Sequence, residues 1–126
     1  DGNVETVWES NEFSSHFSSF VYADGYIYGN DGDANTHRGT FKCLDASTGE
    51  VMWEHRDGLG SLMIAGEYLL TVTERRRLAV VLLTAAEYTE VAACTLPKGL
   101  IWSPPVLAGG FVFIRGMNGE LYAVRG

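Results

Sequence analysis

The sequence predicts an all-β fold that is built from repeated four-stranded units, and three observations lead to that prediction. A short motif recurs with its alanine at Ala23, Ala65 and Ala108, which are 42 and 43 positions apart. Each copy of the motif reads as a strand, a tight turn and a second strand. The 15 Gly suit many tight turns, and the 6 Tyr, 6 Phe and 3 Trp suit strands. A period of about 40 to 45 residues with four strands per unit is typical of the blades of a β-propeller.

The first part of the chain predicts one isolated strand and then a full unit. The isolated strand is Val4–Trp8. Residues 22–28 read as a hairpin around an Asp-Gly turn, which is the strongest short-range hairpin signal. Residues 30–39 are polar and without periodicity, so we interpret them as a long loop. Residues 41–53 alternate at period two on both sides of a second turn, which predicts another hairpin.

The second and third units follow the same plan. Residues 61–73 predict a hairpin, and the apolar run 78–83 predicts a central strand, which a further strand at 91–96 follows. A helix over 78–93 is the competing interpretation, because Ala and Glu are frequent there. The repeat favours strands. Residues 106–125 predict three more strands, with turns at Gly-Gly and Asn-Gly.

This pattern predicts a single domain over residues 1–126 that is a partial propeller of about three blades with 12 strands. The predicted segments are the last strand of a preceding blade (1–12), two blades (13–57 and 58–96) and an incomplete blade (97–126). Closed propellers have about four to eight blades. We therefore expect two open blade faces, in a chain that is either cut from a larger propeller or assembles with copies of itself. The first alternative is favoured.

The hairpin at 41–53 carries the most specific motif of the chain. Residues 44–53 read Leu-Asp-Ala-Ser-Thr-Gly-Glu-Val-Met-Trp. They resemble the tryptophan-docking motif of PQQ-like β-propeller repeats. The residues that carry the resemblance are Asp45, Ala46, Thr48, Gly49 and Trp53. Trp8 resembles the docking tryptophan of an earlier blade. The second repeat has Ala-Ala-Glu-Tyr-Thr at 85–89 and no tryptophan, so we expect its contact with the next blade to differ.

The resemblance implies a function as well as a fold. PQQ-like repeats build non-enzymatic relatives of the outer-membrane assembly lipoprotein BamB. A chain of this type is expected to be a non-catalytic scaffold or protein-interaction module. Its partner would be another protein or the remaining blades of a longer parent chain, and a homo-oligomer is a further alternative. The resemblance also implies an extracytoplasmic location, in the periplasm or at the outer membrane. The chain shows no signal sequence and starts at Asp1, which we interpret as a fragment or mature segment.

The same repeats build the quinoprotein dehydrogenases, which gives the alternative function. The chain would then be a fragment of a PQQ- and calcium-dependent alcohol dehydrogenase. Trp102 is the candidate for a cofactor-facing ring, because it precedes a Ser-Pro-Pro approach to an inner strand. The chain has no adjacent cysteines and no clustered acidic site. The non-enzymatic interpretation is therefore favoured, with neither a cofactor nor catalytic residues.

Charge and apolar content exclude other classes. The formal net charge is −7 and the pI about 4.8, which argues against a nucleic acid as the partner. No apolar run is long enough to cross a membrane as a helix. Cys43 and Cys94 have no metal-ligand spacing and are interpreted as two small buried residues, although a disulfide between them stays open.

The polar loop offers the one candidate metal site. Asn30, Asp31, Asp33 and Asn35 present oxygen atoms at nearly alternate positions, a layout that a hard cation such as calcium can use. A polar hairpin loop without metal is the favoured interpretation. His16, His37 and His55 show no ligand spacing and are interpreted as surface or structural residues. The candidate interaction surface combines 30–39 with 16–19 and 102–105.

Overall fold

The structure, a computed structural model, describes residues 2–14, 19–33, 35–36, 38–97 and 103–125. Across these residues it contains eleven strands and no helix. It therefore has no described helix that is long and apolar enough to cross a membrane. The strands form three antiparallel sheets of four, four and three strands, each a consecutive stretch of the chain. The predicted fold class, all-β with partial propeller blades, is confirmed.

The first two sheets are four-stranded meanders. The strands of the first sheet are β1 (Val21–Ala23), β2 (Tyr26–Asp33), β3 (Arg38–Asp45) and β4 (Val51–Arg56). The strands of the second sheet are β5 (Gly60–Ala65), β6 (Tyr68–Thr73), β7 (Arg77–Leu82) and β8 (Glu90–Thr95). Neighbours in sequence are neighbours in both sheets. The strand interpretation of the apolar run at 78–83 is therefore correct, and the helical alternative is wrong.

The third sheet has only three described strands. They are β9 (Val106–Ala108), β10 (Phe111–Arg115) and β11 (Leu121–Val124). Their order is β9, β10, β11, so that β11 occupies the place of β3 and β7 in the other two sheets. No described strand pairs with the outer edge of β11.

The repeated motif has the same role in all three sheets. Ala23, Ala65 and Ala108 each end the first strand of their sheet and pair across the turn with an aromatic residue of the second strand. The turn after Ala23 has positive φ at both central residues, 49° and 88°. Only the mirror-image turn of type I′ has this pair of φ values, and its twist matches that of the strands it joins. The turn after Ala108 also has positive φ at both central residues, 59° and 81°, whereas in the turn after Ala65 only Gly66 has a positive φ, 62°. The sequence repeat is thus a repeat of two-residue hairpins, whose turn type varies.

Two predicted elements differ from the structure. Val4–Trp8 is not a strand, and no described strand lies beside it to complete a ladder of backbone hydrogen bonds. The predicted count of 12 strands therefore falls to eleven among the described residues. The long loop predicted at 30–39 is mostly strand, because β2 and β3 stay paired as far as Asp33 and Arg38. Backbone pairing between the strands therefore determines the structure there in spite of the polar composition. The paired Gly32 and Gly39 have no side chains, which lets residues 58 and 59 approach closely.

The core lies between the sheets. The larger cluster joins the first and second sheets, and a smaller one joins the second and third. The larger cluster consists of Tyr28, Phe41, Cys43, Trp53, Leu62, Leu69, Ala79 and Val81. The smaller cluster consists of Val72, Leu78, Leu96 and Ile114, with the partly buried Val112 and Val124 against it. Burial of these apolar side chains is the main source of stability for such stacked sheets.

Candidate functional site

The tryptophan-docking motif forms a turn that the preceding segment covers. Asp45 Oδ1 accepts hydrogen bonds from the backbone N–H of Ser47 at 2.8 Å and from its hydroxyl at 2.5 Å. These bonds lower the pKa of Asp45. The hydroxyl of Thr48 accepts the N–H of Glu50 at 3.2 Å, and Gly49 takes a φ of 77°. The polar residues of the motif therefore hold the turn shape, and only glycine adopts its φ without strain.

Trp8 rests on this turn. Its indole N–H donates to the carbonyl of Ala46 at 2.9 Å. A Cβ atom added at Gly49 would lie only 2.7 Å from Cε3 of the Trp8 ring. The ring thus lies flat against the glycine backbone, and a side chain at this position would displace it. Trp8 anchors the N-terminal segment to the first sheet even though that segment is not a strand.

Trp53 makes the corresponding contact from the first sheet to the second. Its indole N–H donates to the carbonyl of Thr84 in the β7–β8 turn at 2.7 Å. Its ring meets Tyr88 edge to face at 5.5 Å between centroids, and Tyr28 lies 6.0 Å away. Trp53 is 9% exposed. Such aromatic contacts add to the stabilisation that burial provides.

The two docking turns differ in length and in their receiving residue. The first spans residues 46–49 between hydrogen-bonded Asp45 and Glu50, and the second spans 83–88 between hydrogen-bonded Leu82 and Thr89. Tyr88 therefore stands where the first turn has Gly49. The longer turn gives Trp53 an aromatic side chain to pack against, which explains how a repeat without the motif still receives a tryptophan.

Tyr88 was missed at the sequence level, although its place two residues before the fourth strand is a usable signal. Its ring stacks on His55 at 3.8 Å between centroids, and its hydroxyl donates to Glu90 at 3.0 Å. Burial, and then the bond to Glu90, raise the pKa of Tyr88. His55, which the sequence analysis assigned to the surface or to a structural role, thus stacks on the ring that receives Trp53.

Arg77 extends the hydrogen bonds of Tyr88 and Glu90. It donates to Asp57 at 2.9 Å and makes a shorter bond to Glu90. The bond from Arg77 lowers the pKa of Glu90. A chain of hydrogen bonds therefore runs from Asp57 through Arg77 and Glu90 to Tyr88, beside the tryptophan contact.

The candidate metal ligands do not converge on one point. Asn30 is buried and donates from Nδ2 to the carbonyl of Gly58 at 3.1 Å. Asp31 accepts from the Ser14 N–H at 2.6 Å and from the Lys42 ammonium at 3.1 Å. Asp33 accepts the N–H of Asn35 at 2.8 Å. Because side chains alternate along β2, Asn30 faces away from Asp31 and Asp33. No group of three or more potential metal-binding side chains occurs within the described ranges.

Lys42 is the charge that holds Asp31. It is 8% exposed and also bonds to Glu12 at 2.7 Å. Burial by itself lowers the pKa of Lys42, but the bonds to Glu12 and Asp31 outweigh burial and raise it. This ion pair ties the segment before β1 to the first sheet. Asp31 is therefore engaged in a structural contact.

A polar cleft of about 720 Å³ lies at the end of the first sheet and includes part of the predicted interaction surface. The paired ends of β2 and β3 form one wall, and the loop after β4 forms another. Its charged lining residues are Asp31, Asp33, Arg38, Arg56, Asp57 and Arg75. Trp102, His16 and His37 fall outside the described residues, so their predicted roles stay predictions.

An apolar groove of about 260 Å³ lies between the second and third sheets. Its β8 wall is formed by Ala92, Ala93 and Cys94, and Ala92 pairs with Val80 of β7. In the first sheet, Trp53 pairs with Cys43 of β3 in the same way. Ala92 thus takes the place of the docking tryptophan. The expectation that the second repeat makes a different contact agrees with this geometry.

Comparison with known proteins supports the fold. BamB from Moraxella catarrhalis is similar in structure, with a TM-score of 0.51 at 11% sequence identity, over 84% of this chain and 42% of that one. The chain therefore spans less than half the length of that protein. The computationally designed proteins Ika4 and Ika8 give TM-scores of 0.49 and 0.42 at 9% identity, over 98% and 90% of this chain and 99% and 48% of theirs. No protein-family model and no curated protein matches the sequence.

These comparisons define the class of fold and nothing finer. The chain has a BamB-like, all-β fold of propeller blades. The assignment of its repeats to the PQQ-like family rests on the docking motif and stays a prediction.

Proposed function

We propose that this chain is a non-catalytic propeller segment that binds protein, with a role similar to that of BamB-type proteins. The observation that carries the proposal is the outer edge of β11, with which no described strand pairs. The proposal assigns no cofactor and no catalytic residue. The proposal includes an extracytoplasmic location. The sequence resemblance and the BamB-like fold support both the role and the location.

The edge of β11 has the properties of a strand-addition site. In the other two sheets the corresponding strand pairs with a fourth strand, β4 or β8. An open edge presents backbone N–H and C=O groups that another strand can pair with. Leu121 on β11 is 70% exposed, so an incoming strand would also cover apolar surface.

The partner that fits this edge is a β-strand. It belongs either to further blades of a longer parent chain or to a second copy of the chain. Val106 of β9 pairs with Phe113 on the face of this sheet that is turned away from the second sheet, and it is 58% exposed. A blade that packs on this face would bury it, and apolar burial would then add to the backbone pairing.

The test is the absolute mass in solution, measured by light scattering after size exclusion. The favoured alternative, pairing with further blades of a longer parent chain, predicts a monomer for this chain. Self-association predicts a discrete dimer or higher oligomer, which the double substitution Leu121→Lys/Ala123→Lys should return to a monomer, because charged side chains on an edge strand oppose pairing. Leu107→Lys is the matched control, since it adds a charge to the same sheet on another strand.

Each outcome decides something. An oligomer that the edge variant leaves intact would exclude β11 as the interface. If the unsubstituted chain is monomeric at every concentration, self-association is excluded. The remaining form of the proposal, pairing with further blades, would then be tested by the loss of exchange protection in β11 when a longer parent is cut at residue 126.

A further inference from the structure

We propose that the apolar groove between the second and third sheets binds a tryptophan side chain of a partner polypeptide. The proposal deepens the protein-binding function and rests on it in one respect, the polypeptide nature of the partner. It concerns a different place from the edge of β11. The two interfaces between sheets have equivalent strand registers, and one of them holds Trp53.

The walls of the groove match the walls of the filled interface position by position. The strand registers make Leu70 equivalent to Tyr28, and Val80 equivalent to Cys43. On the facing sheet, the paired residues Val112 and Val124 are equivalent to Leu69 and Val81. Those first-interface residues all belong to the cluster that surrounds Trp53. The groove therefore repeats four wall positions of the interface that holds Trp53. The Thr84 carbonyl and the Tyr88 ring, which also receive Trp53, have no counterpart among the described residues, because β11 is the last described strand.

Within the described residues, no ring takes the place that Trp53 has in the first interface. Ala92 replaces Trp53, and Leu70 replaces the ring of Tyr28. The space that remains is about 260 Å³. An apolar cavity of about 150 Å³ is enough to hold a benzene ring. The groove thus has room for a two-ring indole, the group that the equivalent interface holds.

The groove is continuous with a packed interface. Leu78 in its floor belongs to the buried cluster of the second and third sheets, and Val112 and Val124 pack against that cluster. At the other side it is open, because Ala92 and Gly110 are exposed. An indole in this position would extend the interface and would remove both its own apolar surface and that of the walls from water.

The contact with a partner in this groove is apolar. Arg125 ends the wall beside Val124, and its guanidinium lies over the ring of Phe111, at 5.9 Å from Cζ to the ring centroid. Phe111 and Arg125 alternate with the paired Val112 and Val124, so the guanidinium lies on the face of the third sheet that is turned away from the groove. The proposal therefore assigns no charge to the partner. Tryptophan is typical of the residues that dominate binding energy at interfaces.

The first experiment uses N-acetyl-5-fluorotryptophanamide and 19F NMR titration on the intact chain. We expect saturable binding in the millimolar range, as suits a ligand of this size. Ala92→Trp should weaken binding at least tenfold, because the new indole fills the groove. Val4→Trp is the matched control, since it adds an indole at a residue that is 97% exposed and should leave binding unchanged. Equal binding by the parent and the Ala92→Trp variant, or no binding by the parent at about 20 mM, would overturn the proposal.

A second readout does not depend on a folded Ala92→Trp variant. Cys94 lines the groove and is exposed, so the bound probe should slow its reaction with a thiol reagent at least several-fold. N-acetyl-leucinamide at the same concentration should protect it less, because it lacks a ring. Equal protection by both compounds would show general apolar binding and would contradict an indole site.

The edge variant separates this proposal from the strand-addition site. Leu121→Lys/Ala123→Lys should bind the amide as the unsubstituted chain does, because neither residue lines the groove. Amide binding by a chain that does not pair at β11 would support the groove alone. Strand pairing at β11 without amide binding would refute the groove alone.

Discussion

Replacement of Trp53 by alanine is the most direct test of how the sheets are held together. A tryptophan side chain buries about 150 to 250 Å² when it is packed, and Trp53 retains 9% of its exposure. At about 25 cal/mol per Å², burial of this ring contributes on the order of 4 to 6 kcal/mol. The alanine methyl group still buries a small part of that area. The carbonyl of the half-buried Thr84, which loses the indole N–H as its donor, can accept a hydrogen bond from water instead. We expect a loss of about 4 kcal/mol in the free energy of unfolding, within the range typical of Trp→Ala in a core.

The assay is urea unfolding at equilibrium, followed by circular dichroism. Small domains are stable by about 5 to 15 kcal/mol, so the variant would lose a large share of its stability. Trp53→Phe serves as the graded control, because it keeps an aromatic ring and loses the indole hydrogen bond. It should cost less than the alanine variant. A loss below about 1 kcal/mol for Trp53→Ala, far less than the roughly 3 to 5 kcal/mol typical of a buried tryptophan, would refute the role of this ring as the anchor between the first and second sheets.

The remaining predictions concern the docking turn, the thiols and the acid side of the stability curve. Gly49→Ala should destabilise the chain by about 1 to 3 kcal/mol, because φ is 77° and the new methyl group meets an indole ring, which unfolding will measure. Burial raises the pKa of the Cys43 thiol to about 11, so at pH 8 a thiol reagent should label the exposed Cys94 and leave Cys43 unmodified until the chain unfolds. Arg77 lowers the pKa of Glu90, so this pair stabilises the fold above the ordinary carboxyl pKa and loses that contribution as pH falls through the lower folded value. In Arg77→Gln, the free energy of unfolding should fall less steeply from about pH 5 to about pH 3, roughly one unit on either side of the ordinary carboxyl pKa. An unchanged slope would contradict the assignment.

The two cysteines show how far residue type can predict environment. Both were interpreted as small buried residues, and the structure has both as free thiols. Cys43 is fully buried, as predicted, at 0% exposure. Cys94 is exposed, and the prediction is wrong there. The difference lies in what covers each strand, since the second sheet packs over Cys43, whereas all six residues of β8 are exposed.

The polar loop was the least predictable part of the first sheet. Its composition predicted irregular backbone and suggested an oxygen-rich cation site. In the structure β2 and β3 continue through this segment, and Lys42 of β3 forms an ion pair with Asp31. The ion pair involves residues 11 positions apart, and Glu12 joins it from 30 positions away. Such partners become neighbours only when the sheet and the N-terminal segment have folded together.

The sequence by itself determined the repeat and its unit. Asp-Gly, Gly-Glu and Gly-Gly turns recur at a period of 42 to 43 residues, and each contains a glycine. They define hairpins whatever lies around them, because the positive φ that glycine allows is a local property. The docking motif likewise shapes its own turn through hydrogen bonds between residues no more than a few positions apart. These features do not depend on the neighbouring sheets.

The tertiary structure decided what each repeat contacts. That Tyr88 receives Trp53, that Ala92 leaves a groove, and that Val4–Trp8 is not a strand all depend on the sheet that lies opposite. The physical reason is that side-chain packing and strand pairing are interactions between segments distant in sequence. A local pattern specifies the groups that a strand presents, and only the assembled sheets specify the groups that meet them.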